Sequence, residues 1–193
     1  MKRILFVMAA AAAAVLAVSC GGSEPDPVAE AIKAEITTNM AEGFTSVKNI
    51  TYELVDSTTF AQEFERRIKT FEVKRDADGK YLLKYTREGK TRNAAIKSDA
   101  YKRDLEILRD LDSLHAACAG ILDDVAYYDY RFSADAKGDN SVMQFRDAYV
   151  AMTPEHEVIG MTAKQKDLHK GLGKVIPGYL GLVKGEEEEE AQE

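Results

Sequence analysis

VAYYDYRFSADAKGDNSVMQFRDAYVAM, residues 125–152, decides the fold class. From Val125 to Ala134 the pattern has a period of two, with Tyr128, Tyr130 and Phe132 on one side and Tyr127, Asp129 and Arg131 on the other. Lys137-Gly138-Asp139-Asn140 supplies turn chemistry. Beyond it, Val142 to Met152 alternates again, Met143, Phe145 and Tyr149 against Gln144 and Arg146. Two half-buried strands joined by a short turn pair antiparallel, and such a sheet has a face for helices to cover.

The pattern extends in both directions. Asp26-Pro27 is a helix start with a capping carboxylate, and Val28, Ile32, Ile36 and Met40 recur behind it until Gly43. Ile50, Tyr52 and Leu54 alternate through a strand over 47–56. Thr59 with Gln62 forms a capping box for a short helix bearing Phe60, Phe64 and Ile68. Phe71 and Val73, then Tyr81, Leu83 and Tyr85, predict a hairpin turning at Asp76-Ala77-Asp78-Gly79. That turn does not suit calcium, because Lys80 and Tyr81 occupy positions that need a ligand and a glycine.

Residues 93–121 predict the longest helix, through Tyr101, Leu105, Leu108, Leu111 and Cys118. After the two strands, Thr153 to His156 turns into a short strand over 157–161. Thr162 with Gln165 caps a last helix bearing Leu168, Leu172, Val175 and Ile176, which Pro177 stops. The expectation is an α+β domain over 27–184. It has an antiparallel sheet of about five or six strands, with an N-terminal helix, a short helix, a long central helix and a C-terminal helix covering one of its faces.

The ends of the chain carry a different signal. Lys2 and Arg3 precede fifteen uncharged residues, Ile4 to Val18, a run that suits a signal-peptide core better than a membrane span. Ala17-Val18-Ser19 meets the small-residue rule for cleavage, and Cys20 follows at once, with Gly21 to Pro25 as a tether. This stretch resembles the lipobox signal peptides of small Gram-negative bacterial lipoproteins, although Ala17 stands where that pattern prefers Leu. The resemblance implies removal of residues 1–19, acylation of Cys20 and a lipid anchor in the cell envelope. Gly21 occupies the place where an aspartate would signal inner-membrane retention, so the implied address is the outer membrane. No activity comes with that likeness.

Composition narrows the function further. The net charge of −7 is concentrated at the end, where Glu186 to Glu190 and Glu193 predict a disordered acidic tail over 185–193. Between Pro27 and Gly185 stand 24 basic and 25 acidic residues, which gives no basic excess for nucleic acid. Gly171-Leu172-Gly173-Lys174 lacks Walker spacing. With Cys20 lipidated, Cys118 has no disulfide partner. Its spacing with Leu111, Leu114 and Ile121 marks a buried inert thiol, and His115 is the one neighbour that would argue for a reactive one.

His115, His156 and His169 form no metal motif, and no catalytic signature is present, so neither a metal nor a cofactor is expected. The suggestive polar set is Tyr127, Asp129, Arg131, Gln144 and Arg146, which two paired strands place on one sheet face. That face is either cross-strand ion pairing in solvent or a ligand groove. The expected function is a membrane-anchored, non-enzymatic module that binds an envelope protein or a glycan. The alternative is a small-ligand binder or hydrolase with its pocket on that face.

Overall fold

A computed structural model of the protein describes residues 25–39, 44–138 and 141–183. The leader, Cys20 and its tether up to Glu24, Met40 to Gly43, Asp139-Asn140 and the acidic tail lie outside the described residues. The chain runs α1 (Pro27–Asn39), β1 (Phe44–Thr59), α2 (Phe60–Arg87), α3 (Thr91–Ala117), β2 (Val125–Gly138), β3 (Val142–Met152) and β4 (Val158–Thr162). A C-terminal segment follows, made of α4 (Gln165–Leu168), a 3-10 turn (His169–Val175) and α5 (Tyr179–Val183). One antiparallel sheet has the order β1-β2-β3-β4, so the class is α+β.

Among the described residues four strands stand where five or six were expected, and the reason lies between residues 60 and 87. The expected short helix, the strands around Phe71 and Tyr81 and the Asp-Gly turn are all one helix, α2. Its start is as read. The Thr59 hydroxyl accepts from Gln62 N, and the Gln62 side chain accepts from Thr59 N at 2.9 Å. At 28 residues α2 exceeds α3, which has 27 and ends at Ala117 rather than Ile121. The last helix is also reduced. Thr162 ends β4, its hydroxyl accepting from Lys164 N, and beyond Leu168 the chain tightens into the 3-10 turn that ends ahead of Pro177.

The helices cover both faces of the sheet, not one. On the first face Val28, Ile32 and Ile36 of α1 pack against Val47, Phe132, Ala134, Ala136, Ala148, Val150 and Met152. Asp26 caps α1, accepting from Val28 N at 3.1 Å, and its other carboxylate oxygen takes the Tyr52 hydroxyl, which pins the helix to β1. On the second face Tyr127 and Ala151 meet Leu168 and Leu172, with Phe60, Ile159 and Val175 around them. A third cluster, Phe71, Ile107, Leu111 and Val183, joins α2, α3 and α5 away from the sheet.

Two features set up the surface. The first is a bend. Both edges of β2 shift register near Ser133, opposite Asn49 (φ 54°) on β1 and Asp147 (φ 50°) on β3, and such bulges sharpen the local twist. The second is an arm. No described side chain from residue 72 to residue 103 is buried, so the far halves of α2 and α3 form a two-helix hairpin outside the buried core. The α2 side of it extends about 24 Å at 1.5 Å per residue.

Candidate functional site

The polar residues singled out in the sequence lie on one sheet face, but the helical layer divides it. Tyr127 and Asp129 are buried beneath the helices, whereas Arg131 is exposed beyond their edge. Arg131 Nε donates to Glu53 Oε1 at 2.8 Å, and its Nη1 lies 3.9 Å from Asp147. Gln144 and Arg146 gather farther along at Asp135, with Arg146 Nη2 donating to Oδ1 at 2.6 Å and Gln144 Nε2 at 3.4 Å. Asn49 completes that cluster, donating to Asp135 Oδ2 at 2.7 Å. The carboxyl of Asp135 is held below its ordinary range, first by the Asn49 hydrogen bond and then by that of Arg146. Tyr127 and Asp129 therefore share no cluster with Arg131, Gln144 and Arg146.

Beneath the helices the two buried residues belong to a network that the sequence did not single out. Glu63 of α2 is fully buried. Its Oε2 accepts from the Tyr127 hydroxyl at 2.8 Å and from Arg66 Nη1 at 2.7 Å, and Arg66 also donates to the Tyr127 oxygen. Arg67 Nε lies 2.8 Å from Glu63 Oε1, an ion pair whose N–H points off the hydrogen-bond axis. The same guanidinium donates from Nη2 to the His169 carbonyl at 2.7 Å and from Nη1 to the Lys170 carbonyl at 3.1 Å. One buried carboxylate and two arginines thus join α2, β2 and the 3-10 turn. Burial pushes the Tyr127 phenol well above its ordinary pKa, and the Glu63 carboxylate reinforces the shift.

Asp129 and His169 form a second centre next to the first. His169 Nε2 is 2.6 Å from Asp129 Oδ2, and its ring lies 5.9 Å from that of Tyr127. Asp129 Oδ1 has no hydrogen-bond partner among the described residues. A carboxylate that orients an imidazole is half of an acid–base machine, but the other half is a nucleophile. Among the described residues His169 bonds no hydroxyl or thiol. The thiol of Cys118 is half-exposed rather than buried, and the ring of His115 stands edge-on to Phe64 at 5.1 Å. No group of three or more histidine, cysteine or acidic residues is placed to hold a metal among the described residues.

The sequence did contain a signal for the buried network. Glu63 and Arg67 are four apart on the helix face that also carries Phe60, Phe64 and Phe71, an ion pair inside an apolar stripe. His169, adjoining Leu168 in the last segment, carried no comparable mark.

The surface has several clefts. One, about 780 Å³, opens at the end of the sheet between Val125, Tyr128, Pro154, Ile159 and Leu180. Another, about 510 Å³, lies between Ile36 of α1 and Phe145 and Met161 of the sheet. No described helix is long and apolar enough to cross a membrane. No family model matches the chain, and none of the curated proteins or solved structures compared with it is significantly similar.

Proposed function

We propose that the protein is a lipid-anchored component of the bacterial cell envelope and that its folded part is an interaction module presenting the α2–α3 arm to a protein partner. The observation that carries this reading is the arm itself. A two-helix hairpin with no buried side chain from 72 to 103 adds nothing to the core, yet it exposes Val73, Tyr81, Leu83 and Ile96. Large apolar side chains on a projecting element suit a helix-packing partner. Cys20 behind the apolar leader supports the anchor, because the two or more acyl chains of a lipobox cysteine hold a domain stably where one chain is marginal. A ligand groove at Arg131 has less in its favour, since Glu53 and Asp147 already surround that guanidinium.

Two measurements test the reading. Cys20→Ala should move the protein from the membrane to the soluble fraction, and equal membrane retention would refute the anchor. A photo-crosslinker at Leu83 in intact cells should give one discrete adduct. That adduct should vanish when Val73, Tyr81 and Ile96 become serine and persist in Arg131→Ala. If the adduct is indifferent to the three serines, the arm is not the interface.

A further inference from the structure

The cleft of about 780 Å³ at the end of the sheet opens where α2 begins, and Phe60, Tyr128 and Ile159 give it an apolar lining. Three carboxylates also line it, those of Asp124, Glu155 and Glu157, against one cation, Lys174. All four charged side chains are exposed, and none forms an ion pair with a described residue. Their backbone is held in place. Thr153 N donates to the Glu157 carbonyl at 3.0 Å, Glu157 N to the Thr153 hydroxyl at 3.3 Å, and Phe60 N to the Asp124 carbonyl at 3.1 Å. An acid-rimmed apolar cleft on a fixed frame suits an occupant with an apolar anchor and basic side chains around it.

The arm carries that complement. Residues 72–103 hold ten basic and five acidic side chains, whereas the rest of 27–185 holds fourteen and twenty. On the face of α2 opposite Phe71, Leu82 and Tyr85, Val73, Lys80, Leu83, Lys84 and Arg87 follow helical spacing, and all five are exposed. Lys80 and Arg87 pair with no carboxylate among the described residues, and Lys84 shares Glu88 with Lys90. Asp76 on the same face is already paired with Arg75 at 2.8 Å. Two such arms would repel each other. Nor can the arm reach the cleft of its own chain. Phe60 lines that cleft, and Lys80 stands twenty residues farther along the same helix, about 30 Å away.

We propose that this face of α2 docks into the cleft of a second copy of the chain, with Leu83 entering the apolar lining while Lys80, Lys84 and Arg87 meet Asp124, Glu155 and Glu157. The contact rests on the arm being an interface and names the protein that occupies it. A helix laid in a groove takes its contacts at i, i+3, i+4 and i+7, which is the spacing of Lys80, Leu83, Lys84 and Arg87. Arm and cleft are different surfaces, so the contact is heterologous. Each docked pair leaves one arm and one cleft open for the next copy.

Sedimentation velocity of the purified full-length chain in detergent tests it. The expected result is concentration-dependent association with Kd on the order of 100 μM or tighter, weakened at least tenfold as salt rises from about 50 to about 500 mM. An arm variant, Lys80→Glu with Lys84→Glu and Arg87→Glu, should be monomeric alone. So should a cleft variant, Glu155→Lys with Glu157→Lys. An equal mixture of the two should associate again, because each then offers the charge the other lacks, and that recovery also shows both to be folded. All five replaced residues are exposed. As a check independent of charge reversal, a photo-crosslinker at Leu83 in the otherwise unaltered purified chain should join it to the 153–159 peptide of a second copy. Association that either variant retains alone, a mixture that stays monomeric, or an adduct mapped elsewhere overturns the proposal. A purified chain that stays monomeric while Leu83 crosslinks to a different protein in cells overturns the self-docking and leaves the arm an interface. No adduct in either setting removes both.

Discussion

The Tyr127 hydroxyl donates to Glu63 Oε2 at 2.8 Å, which ties the most buried phenol of the sheet to the one fully buried carboxylate of α2. This contact lies where the arm-bearing helix leaves the sheet, and Arg66 and Arg67 enclose the carboxylate from both sides. Its loss would strand two guanidinium groups, one of them buried. Glu63→Ala should therefore lower stability by about 3–5 kcal/mol, the cost of breaking a buried pair from one side. Tyr127→Phe, which removes one donor and keeps the ring, should cost about 1–3 kcal/mol. Urea unfolding at neutral pH measures both, and a Glu63→Ala loss under about 1 kcal/mol would show that water reaches the site.

The same phenol predicts an alkaline limit. Burial raises the Tyr127 pKa in the folded state above its unfolded value of about 10. The neutral form is thus favoured by folding. The resulting stability is complete below about pH 10 and drains away as pH climbs from there toward the folded value. Tyr52 and Tyr130 are raised as well, in both cases chiefly by burial, and share the slope. Unfolding free energy followed from pH 8 upward should fall, and Tyr127→Phe should make the fall shallower. An identical slope in that variant would assign the alkaline limit to other groups.

The exposed half of the polar face should behave oppositely. Arg131 is matched with Glu53 in solvent, and such pairs contribute about 0–1 kcal/mol, so Arg131→Ala should leave the melting temperature nearly unchanged. Asp135 is the sensitive reporter. Its folded pKa lies below the unfolded one, so its contribution is present at neutral pH and is lost as pH falls through the folded value. Carbon-detected titration of the Asp135 carboxyl should give a midpoint below the ordinary aspartate range, moving upward in Arg146→Ala. A midpoint that ignores Arg146 would mean the 2.6 Å contact does not persist in solution.

Much of the sheet was legible because its strands carry the period of two on at least one covered face. α1 was legible because Asp26, Val28, Ile32 and Ile36 agree on start and stripe. The arm was misread for a physical reason. Its seam is a heptad series of Phe64, Ile68, Phe71, Arg75, Asp78, Leu82 and Tyr85, each less exposed than most of its neighbours. Arg75 and Asp78 interrupt it with charge, and Asp78 is there to meet Lys97 of α3 at 2.7 Å. Without the partner helix in view, the exposed Val73, Tyr81 and Leu83 imitate strand alternation. The polar face failed differently. Its parity was readable, but the edge of the helical layer between Asp129 and Arg131 comes from tertiary packing, which period cannot reveal.

Gly79 decides between the two readings of that segment. In a hairpin, Asp78-Gly79 would turn the chain, and glycine would be needed for a left-handed backbone; alanine there would cost roughly 1 kcal/mol or more. In α2, Gly79 is an interior helical position, where alanine gains about 0.5–1 kcal/mol by restricting the unfolded chain. Opposing that gain is one contact, since the added carbon would lie 3.3 Å from Tyr101 Cε2. The Tyr101 ring is only half-buried on the arm and can yield by a few tenths of an ångström, so most of the helical gain survives. Gly79→Ala should leave the melting temperature unchanged or raised and should deepen the helical signal in far-ultraviolet circular dichroism. A destabilisation beyond about 1 kcal/mol, with helical signal lost, would restore the hairpin and remove the arm on which the proposed interface stands.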